Sequence, residues 1–286
     1  MGLRDVCATL LAMAMVGMLL FSPCTRTKTD GLRFAVLGDS RGSEKVFPAI
    51  VDSLNRIHPA LIVHLGDLIH GYTDDLGIIK KQWTIVDRQL SDLRIPFFVV
   101  PGNHDTYTGK ATADSRLVEF LHQRFGDWPR SMERSGALFL FLDSSRPGEE
   151  QVIGPSQLAW LDRELERWGS NNGPAFLFLH HPLISPTGRS LVNADEVLAL
   201  LEGSAVKAVF CSHDHMYHRS VLPSGIRQYI TGGAGASLRG LKPEQGGFYH
   251  FLIVTLGDNG QADVVVHPLD AVSESEEPWP PVDYRH

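Results

Sequence analysis

Five short polar clusters in this chain could do chemistry together. They are Gly38-Asp39-Ser40-Arg41, Gly66-Asp67-Leu68-Ile69-His70, Gly102-Asn103-His104-Asp105, His180-His181-Pro182 and His213-Asp214-His215. Carboxylates, an amide oxygen and imidazoles are the donors that hard and borderline metal ions take. Singly, each cluster says little, because Gly-Asp pairs are common and a lone histidine is usually structural. Each of the five, however, follows an apolar, strand-like run: residues 34–37, 60–65, 95–100, 175–179 and 206–211. In an open α/β sheet, ligands bind beyond the carboxyl ends of the strands. Five donor clusters at five strand ends therefore predict one convergent metal centre.

The elements that must position these donors alternate along the chain. A strand at 32–37 precedes an amphipathic stretch at 44–57, and a strand at 60–65 precedes a helix at 78–92. A strand at 96–100 leads to a helix near 115–125, and another strand covers 137–142. The stretch 155–168 reads as a helix, with Pro155 in its first turn and Gly169 closing it. A strand at 175–179 is followed by a helix at 194–201 and a strand at 206–211. Helices between strands predict parallel pairing, whereas the helix-free strands at 227–230, 248–256 and 262–267 predict antiparallel pairing. The connection at 69–76 reads as a loop lining the site.

The chain has 286 residues, of which 43% are hydrophobic, enough for one large core at 31–270. Its net charge of −7 argues against a nucleic-acid binder that relies on a broad basic surface. Arg4 followed by a mostly apolar stretch at 6–21 and a polar one at 24–30 reads as a secretory signal or an N-terminal membrane anchor over 1–30. That places the chain outside the cytoplasm, secreted, periplasmic or held at a membrane facing outward. The acidic, proline-containing segment 271–286 reads as a loosely attached tail. Three cysteines, Cys7, Cys24 and Cys211, imply no disulfide framework.

Taken in order, Gly-Asp, Gly-Asp, Gly-Asn-His-Asp, His-His-Pro and His-x-His resemble the calcineurin-like metallophosphoesterase superfamily, with a metal site similar to its purple acid phosphatase branch. The resemblance spans roughly 33–250 and includes the glycine-rich stretch 229–235. It implies an α/β fold, a four-layer αββα sandwich of two mixed sheets flanked by helices. It also implies two divalent or mixed-valence transition metal ions, of manganese, iron, zinc or cobalt. By position, Asp67 would bridge both ions, Asn103, His180 and His213 would complete one, and Asp39 and His215 would bind the other. His180 takes the ligand place two residues before the proline, which leaves His181 to pack nearby.

The chain departs from the family's Gly-Asp-x-His at Arg41, whose guanidinium has no lone pair to offer. His70 lies where the purple acid phosphatase branch has a ligating tyrosine, so it is the candidate replacement; its alternative role is to begin a loop. Arg41 is then free to grip phosphate or to pair with a carboxylate. The resemblance implies a metal-dependent phosphoesterase acting on phosphomonoesters or phosphodiesters with a metal-activated hydroxide. His104 would stabilise the phosphate oxygens or protonate the leaving group, and Asp105 would orient His104. The competing reading is a catalytically weakened binding module of the same fold.

Overall fold

A computed structural model describes residues 31–269, apart from 171 and 258. The expected signal or anchor and the acidic tail lie outside the described residues. Among the described residues, no helix is long and apolar enough to cross a membrane.

The strands are β1 (Arg33–Leu37), β2 (Ile62–His64), β3 (Phe97–Val99), β4 (Arg130–Arg134), β5 (Ala137–Phe141), β6 (Ser145–Arg146), β7 (Glu149–Glu150), β8 (Ala175–Phe178), β9 (Val206–Cys211), β10 (Tyr217–Val221), β11 (Arg227–Thr231), β12 (His250–Leu256) and β13 (Ala262–Pro268). The helices are α1 (Val46–Ile57), α2 (Leu76–Leu90), α3 (Asn103–Thr106), α4 (Ser115–Phe125), α5 (Pro155–Trp168) and α6 (Ala194–Leu201). One sheet runs β13-β12-β1-β2-β3 and the other β10-β11-β9-β8-β5-β4, with β6 and β7 forming a small hairpin. In both sheets the strands that end in donor clusters pair in parallel, β1 with β2 and β2 with β3, and β8 with β9.

Alternation along each strand builds the layers, because successive side chains face opposite ways. Phe34 and Val36 point between the sheets with Phe139, Phe141, Phe176, Phe178 and Phe210. Ala35 and Leu37 point outward and meet Val46, Phe47, Ile50 and Leu54 of α1. On the far side, Leu138, Leu140, Leu177 and Val209 meet Leu161 of α5 and Val197 and Leu201 of α6. The result is the helix–sheet–sheet–helix sandwich that the resemblance implies.

Two differences from the sequence pattern have one cause. Edge strands β4 (Arg-Ser-Met-Glu-Arg) and β10 (Tyr-His-Arg-Ser-Val) carry polar and charged residues, so no apolar run marks them. Such residues protect an exposed edge from pairing with other chains. Because β10 reverses the chain, β11 runs parallel to β9 rather than antiparallel. β12 and β13 are antiparallel as expected.

Phe34 is the hinge pin of the sandwich. Its ring centroid lies 5.1 Å from Phe139, 5.3 Å from Phe176 and 6.3 Å from both Phe178 and Phe210. All four contacts are edge-on, the favourable arrangement for aromatic rings. Phe34→Ala should cost about 3–5 kcal/mol of stability, read as a lower midpoint in chemical denaturation, and Phe34→Leu clearly less. Equal midpoints for wild type and Phe34→Ala would refute this role.

Candidate metal centre

The donor clusters turn sharply as they leave their strands. Asp39 (φ 60°), Arg41 (φ 46°), Asp67 (φ 58°) and His213 (φ 68°) all occupy the left-handed region. That conformation is strained for residues with a side chain and persists only where the surroundings enforce it. The enforcement is visible in the main chain. Asp39 N donates to Gly66 O at 3.0 Å, Arg41 N to Asp67 O at 2.9 Å and Ala236 N to Asp39 O at 2.7 Å. The late glycine-rich turn closes over this frame, and a Cβ on Gly232 would lie 2.4 Å from Asp39 Oδ2.

Asp67 stands at the centre and is wholly buried. Its Oδ1 lies 3.4 Å from His180 Nε2, and its Oδ2 lies 3.5 Å from Arg41 Nη2. On the first side, His180 Nε2 lies 2.9 Å from Asn103 Oδ1 and 3.2 Å from His213 Nδ1, while His213 Nδ1 lies 3.0 Å from Asn103 Oδ1. His180 Nδ1 already faces the Leu65 carbonyl at 2.7 Å, so its proton sits there and Nε2 presents a bare lone pair. Asn103 donates through Nδ2 to Tyr72 Oη at 2.8 Å, which aims Oδ1 at the histidines. A buried cluster of lone pairs facing one another is unfavourable unless a cation fills it. These residues fit a metal ion.

On the other side, Asp39, Asp67 and His215 converge, their ligand atoms within 4.8 Å of one another. Asp39 Oδ2 accepts from His213 N at 2.9 Å, while its Oδ1 is buried without a hydrogen-bond partner. The His70 ring is not part of this group. The Arg41 guanidinium lies beside Asp67 and His215. His70 contributes its main-chain carbonyl instead, which holds His104 Nδ1 at 2.5 Å.

That contact also corrects the role expected of Asp105. Its oxygens accept from the main-chain N–H groups of Asp67 (2.8 Å), Leu68 (2.7 Å), Ile69 (3.2 Å) and Gly102 (3.0 Å). Asp105 thus ties the second donor loop to the third, and it is His70 that orients the His104 ring. His104 in turn donates its own N–H to Asp67 Oδ1 at 2.9 Å.

Electrostatics set the two carboxylates apart. Burial pushes Asp67 up, but His180, His104 and Arg41 outweigh it and hold the carboxyl well below its ordinary range. Asp39 goes the other way, raised by burial and by the neighbouring charge of Asp67. Burial, then Arg41, pushes His104 down to about 3 and holds His215 well below its ordinary value. Neutral imidazoles are the form that binds metal.

The sequence pattern understated two residues. His181 packs against His213 with ring centroids 4.4 Å apart and belongs, with His180 and His213, to a convergent nitrogen trio. Its Nδ1 meets Ser144 Oγ at 2.8 Å, and its Nε2 is buried and unpartnered. Strict strand alternation would turn it away from His180, but the strand has already ended. The other is Tyr72, because nothing in its spacing reveals the bond to Asn103.

Residues 32–217 match the model of the calcineurin-like phosphoesterase family. This chain belongs to that family. A glycerophosphodiester phosphodiesterase of Enterobacter lignolyticus is 28% identical over 183 residues, covering 58% of this chain and 60% of that protein. The chain thus spans about three-fifths of this curated relative. A dimetal phosphatase from Danio rerio superposes with a TM-score of 0.66 at 16% identity, over 83% of this chain and 95% of that one. A purple acid phosphatase from yellow lupin seeds gives a TM-score of 0.63 at 16% identity, over 83% of this chain and 51% of that one. Both share the fold. Membership of the calcineurin-like phosphoesterase family carries metal-dependent phosphoester hydrolysis and divalent metal ions as its characteristic chemistry, and the Asp, Asn and His groups described above are compatible with it.

Two substitutions separate holding a loop from aiming a ligand. Asp105→Ala leaves four N–H groups without their acceptor and should cost about 3 kcal/mol or more, together with metal binding. Tyr72→Phe keeps the fold and should weaken manganese binding about 10-fold in calorimetric titration, because Asn103 loses its anchor. Unchanged affinity in Tyr72→Phe would show that Asn103 is held by other contacts.

Proposed function

We propose that this protein hydrolyses phosphate esters, monoesters or diesters, with a metal ion held by Asp67, Asn103, His180 and His213. The observation that carries this reading is the inward convergence of these buried oxygen and nitrogen lone pairs beside a guanidinium. When bound, an ion at that place neutralises phosphate charge and acidifies water. Mixed nitrogen and oxygen donors suit manganese, iron, zinc or cobalt.

The chain's own residues supply the rest. Asp67 ties the cation position to Arg41, so positive charge lies on both sides of one carboxylate. Arg41 places its charge beside the incoming phosphate, where a planar fork of donors binds such oxygens well. His104 has one nitrogen pinned to a carbonyl, and its other, Nε2, meets Arg41 Nη2 at 2.5 Å until an arriving phosphate draws that donor onto its own oxygens. A phosphate dianion beside Nε2 raises the affinity of that nitrogen for a proton, which makes His104 the proton carrier for the leaving oxygen. The named activity of the Enterobacter relative makes phosphodiesters a substrate class to test first. The apolar stretch at 6–21 behind Arg4 supports an enzyme that is exported or held at a membrane facing outward.

Removal of metal by chelation should abolish hydrolysis of p-nitrophenyl phosphate or its bis ester, and added manganese should restore it. His104→Ala should retain metal content but lose about 10²–10⁴-fold in turnover of alkyl esters, and less with the good p-nitrophenolate leaving group. Equal losses on both kinds of ester would take proton transfer away from His104. Tight metal binding with no turnover on a broad ester panel would favour the binding module.

A further inference from the structure

Arg41 does not hang free over the site. It is buried, 7% exposed, and its Nη2 lies 3.0 Å from His215 Nε2, 2.5 Å from His104 Nε2 and 3.5 Å from Asp67 Oδ2. The state of both rings follows from their other nitrogens. His215 Nδ1 faces the Ser237 carbonyl at 2.7 Å, and His104 Nδ1 faces the His70 carbonyl. Each Nδ1 therefore carries the proton, and each Nε2 turns a lone pair toward the guanidinium. A ring nitrogen has one such lone pair, and Arg41 can only donate.

Two of the three groups that converge on this position, Asp67 and His215, therefore already serve a positive charge. What remains for a metal is Asp39 Oδ1, the buried oxygen without a hydrogen-bond partner. An ion at this position would have to evict Arg41 and recover the His215 lone pair. The place of Arg41 is also built in. Its own N–H is fixed to the Asp67 carbonyl, and Gln89 Nε2 holds the carbonyls of Gly42 at 3.4 Å and Ser43 at 2.8 Å directly after it.

We propose that the Arg41 guanidinium is the resident cation of the Asp39–Asp67–His215 position, so that the chain holds a single metal ion, on the Asn103–His180–His213 side of Asp67. The site then sets one exchangeable and one covalently attached positive charge across the same carboxylate. Arginine stays charged throughout the physiological pH range, so this second charge is permanent and independent of metal supply. The two ions expected from the sequence reduce to one, with a side chain in place of the other.

This inference rests on the metal-binding reading above, and metal counting tests it without any assay of activity. The full chain, stripped with chelator and titrated with Mn²⁺, should hold one ion per chain after desalting, with the electron paramagnetic resonance spectrum of an isolated ion. Arg41→His restores a ligand at that place and should raise the content from one ion to two, with an exchange-coupled spectrum. Circular dichroism checks that the variant folds, and the wild-type count decides even if it does not. Two coupled ions in the wild type, with ester hydrolysis intact, would overturn this proposal alone. One ion in a folded Arg41→His would also overturn it, since the guanidinium would not be what excludes the second. No bound metal in either protein, with no hydrolysis, would overturn this proposal and the functional reading together.

Discussion

Asp67 is cut off from water, and its two oxygens face different neighbours. Oδ1 looks toward His180, and Oδ2 toward Arg41. A buried carboxylate is tolerated only with compensating charge or hydrogen bonds, since desolvation of an ion is costly. Here compensation comes from both sides at once, and the surrounding groups are arranged around that need. The rings of His180, His104 and His215 and the amide of Asn103 are each oriented by a bond made at their far end, to Leu65, His70, Ser237 and Tyr72 in turn. The far-end bond decides where the proton sits, and so decides which nitrogen offers its lone pair to the centre.

The sandwich exists in this sense to bring strand ends from two sheets together. Asp39, Asp67 and Asn103 follow β1, β2 and β3 of one sheet, while His180 and His213 follow β8 and β9 of the other. The phenylalanine layer around Phe34 sets the separation of the sheets, and that separation sets the distance between the carboxylates and the histidines. The left-handed backbone at Asp39, Asp67 and His213 is strain that this frame can hold. Asp105 is part of the same frame: a charged residue inside a donor motif whose four bonds all go to main chain.

The donors and their order were legible in the sequence because each follows an apolar run that cannot easily be anything but a buried strand. Asp39, Asp67, Asn103, His180, His213 and His215 are all brought to one centre. The strands that escaped, β4 and β10, are edges whose polar residues erase the signal. Asp105 and His70 make contacts that the sequence did not reveal, for a different reason. Their side-chain chemistry suggests work at the metal or the substrate, yet what the fold uses is a carboxylate as a main-chain clamp and a carbonyl rather than an imidazole. Main-chain roles of this kind leave no mark in residue type or spacing. His181 escaped because the resemblance gives the ligand place before the proline to His180 alone.

Arg41 shows how one residue can change a centre's composition without changing its charge plan. The family pattern places at this position a histidine, a neutral ligand that brings in an external cation. An arginine there is itself the cation, and the groups that would have held the ion, Asp67 and His215, turn to it at hydrogen-bond distances. The exchange is not symmetrical. A metal gathers lone pairs from all directions and can acidify water, whereas a guanidinium donates in a plane and cannot. A centre built this way keeps the positive field that draws a phosphate, but concentrates water activation on the Asn103–His180–His213 side. On the proposed single-metal centre, the side of the phosphate facing Arg41 would receive charge and hydrogen bonds but no second Lewis acid. His104 is set against Arg41 at that side, where a proton delivered to the leaving oxygen would make up the difference.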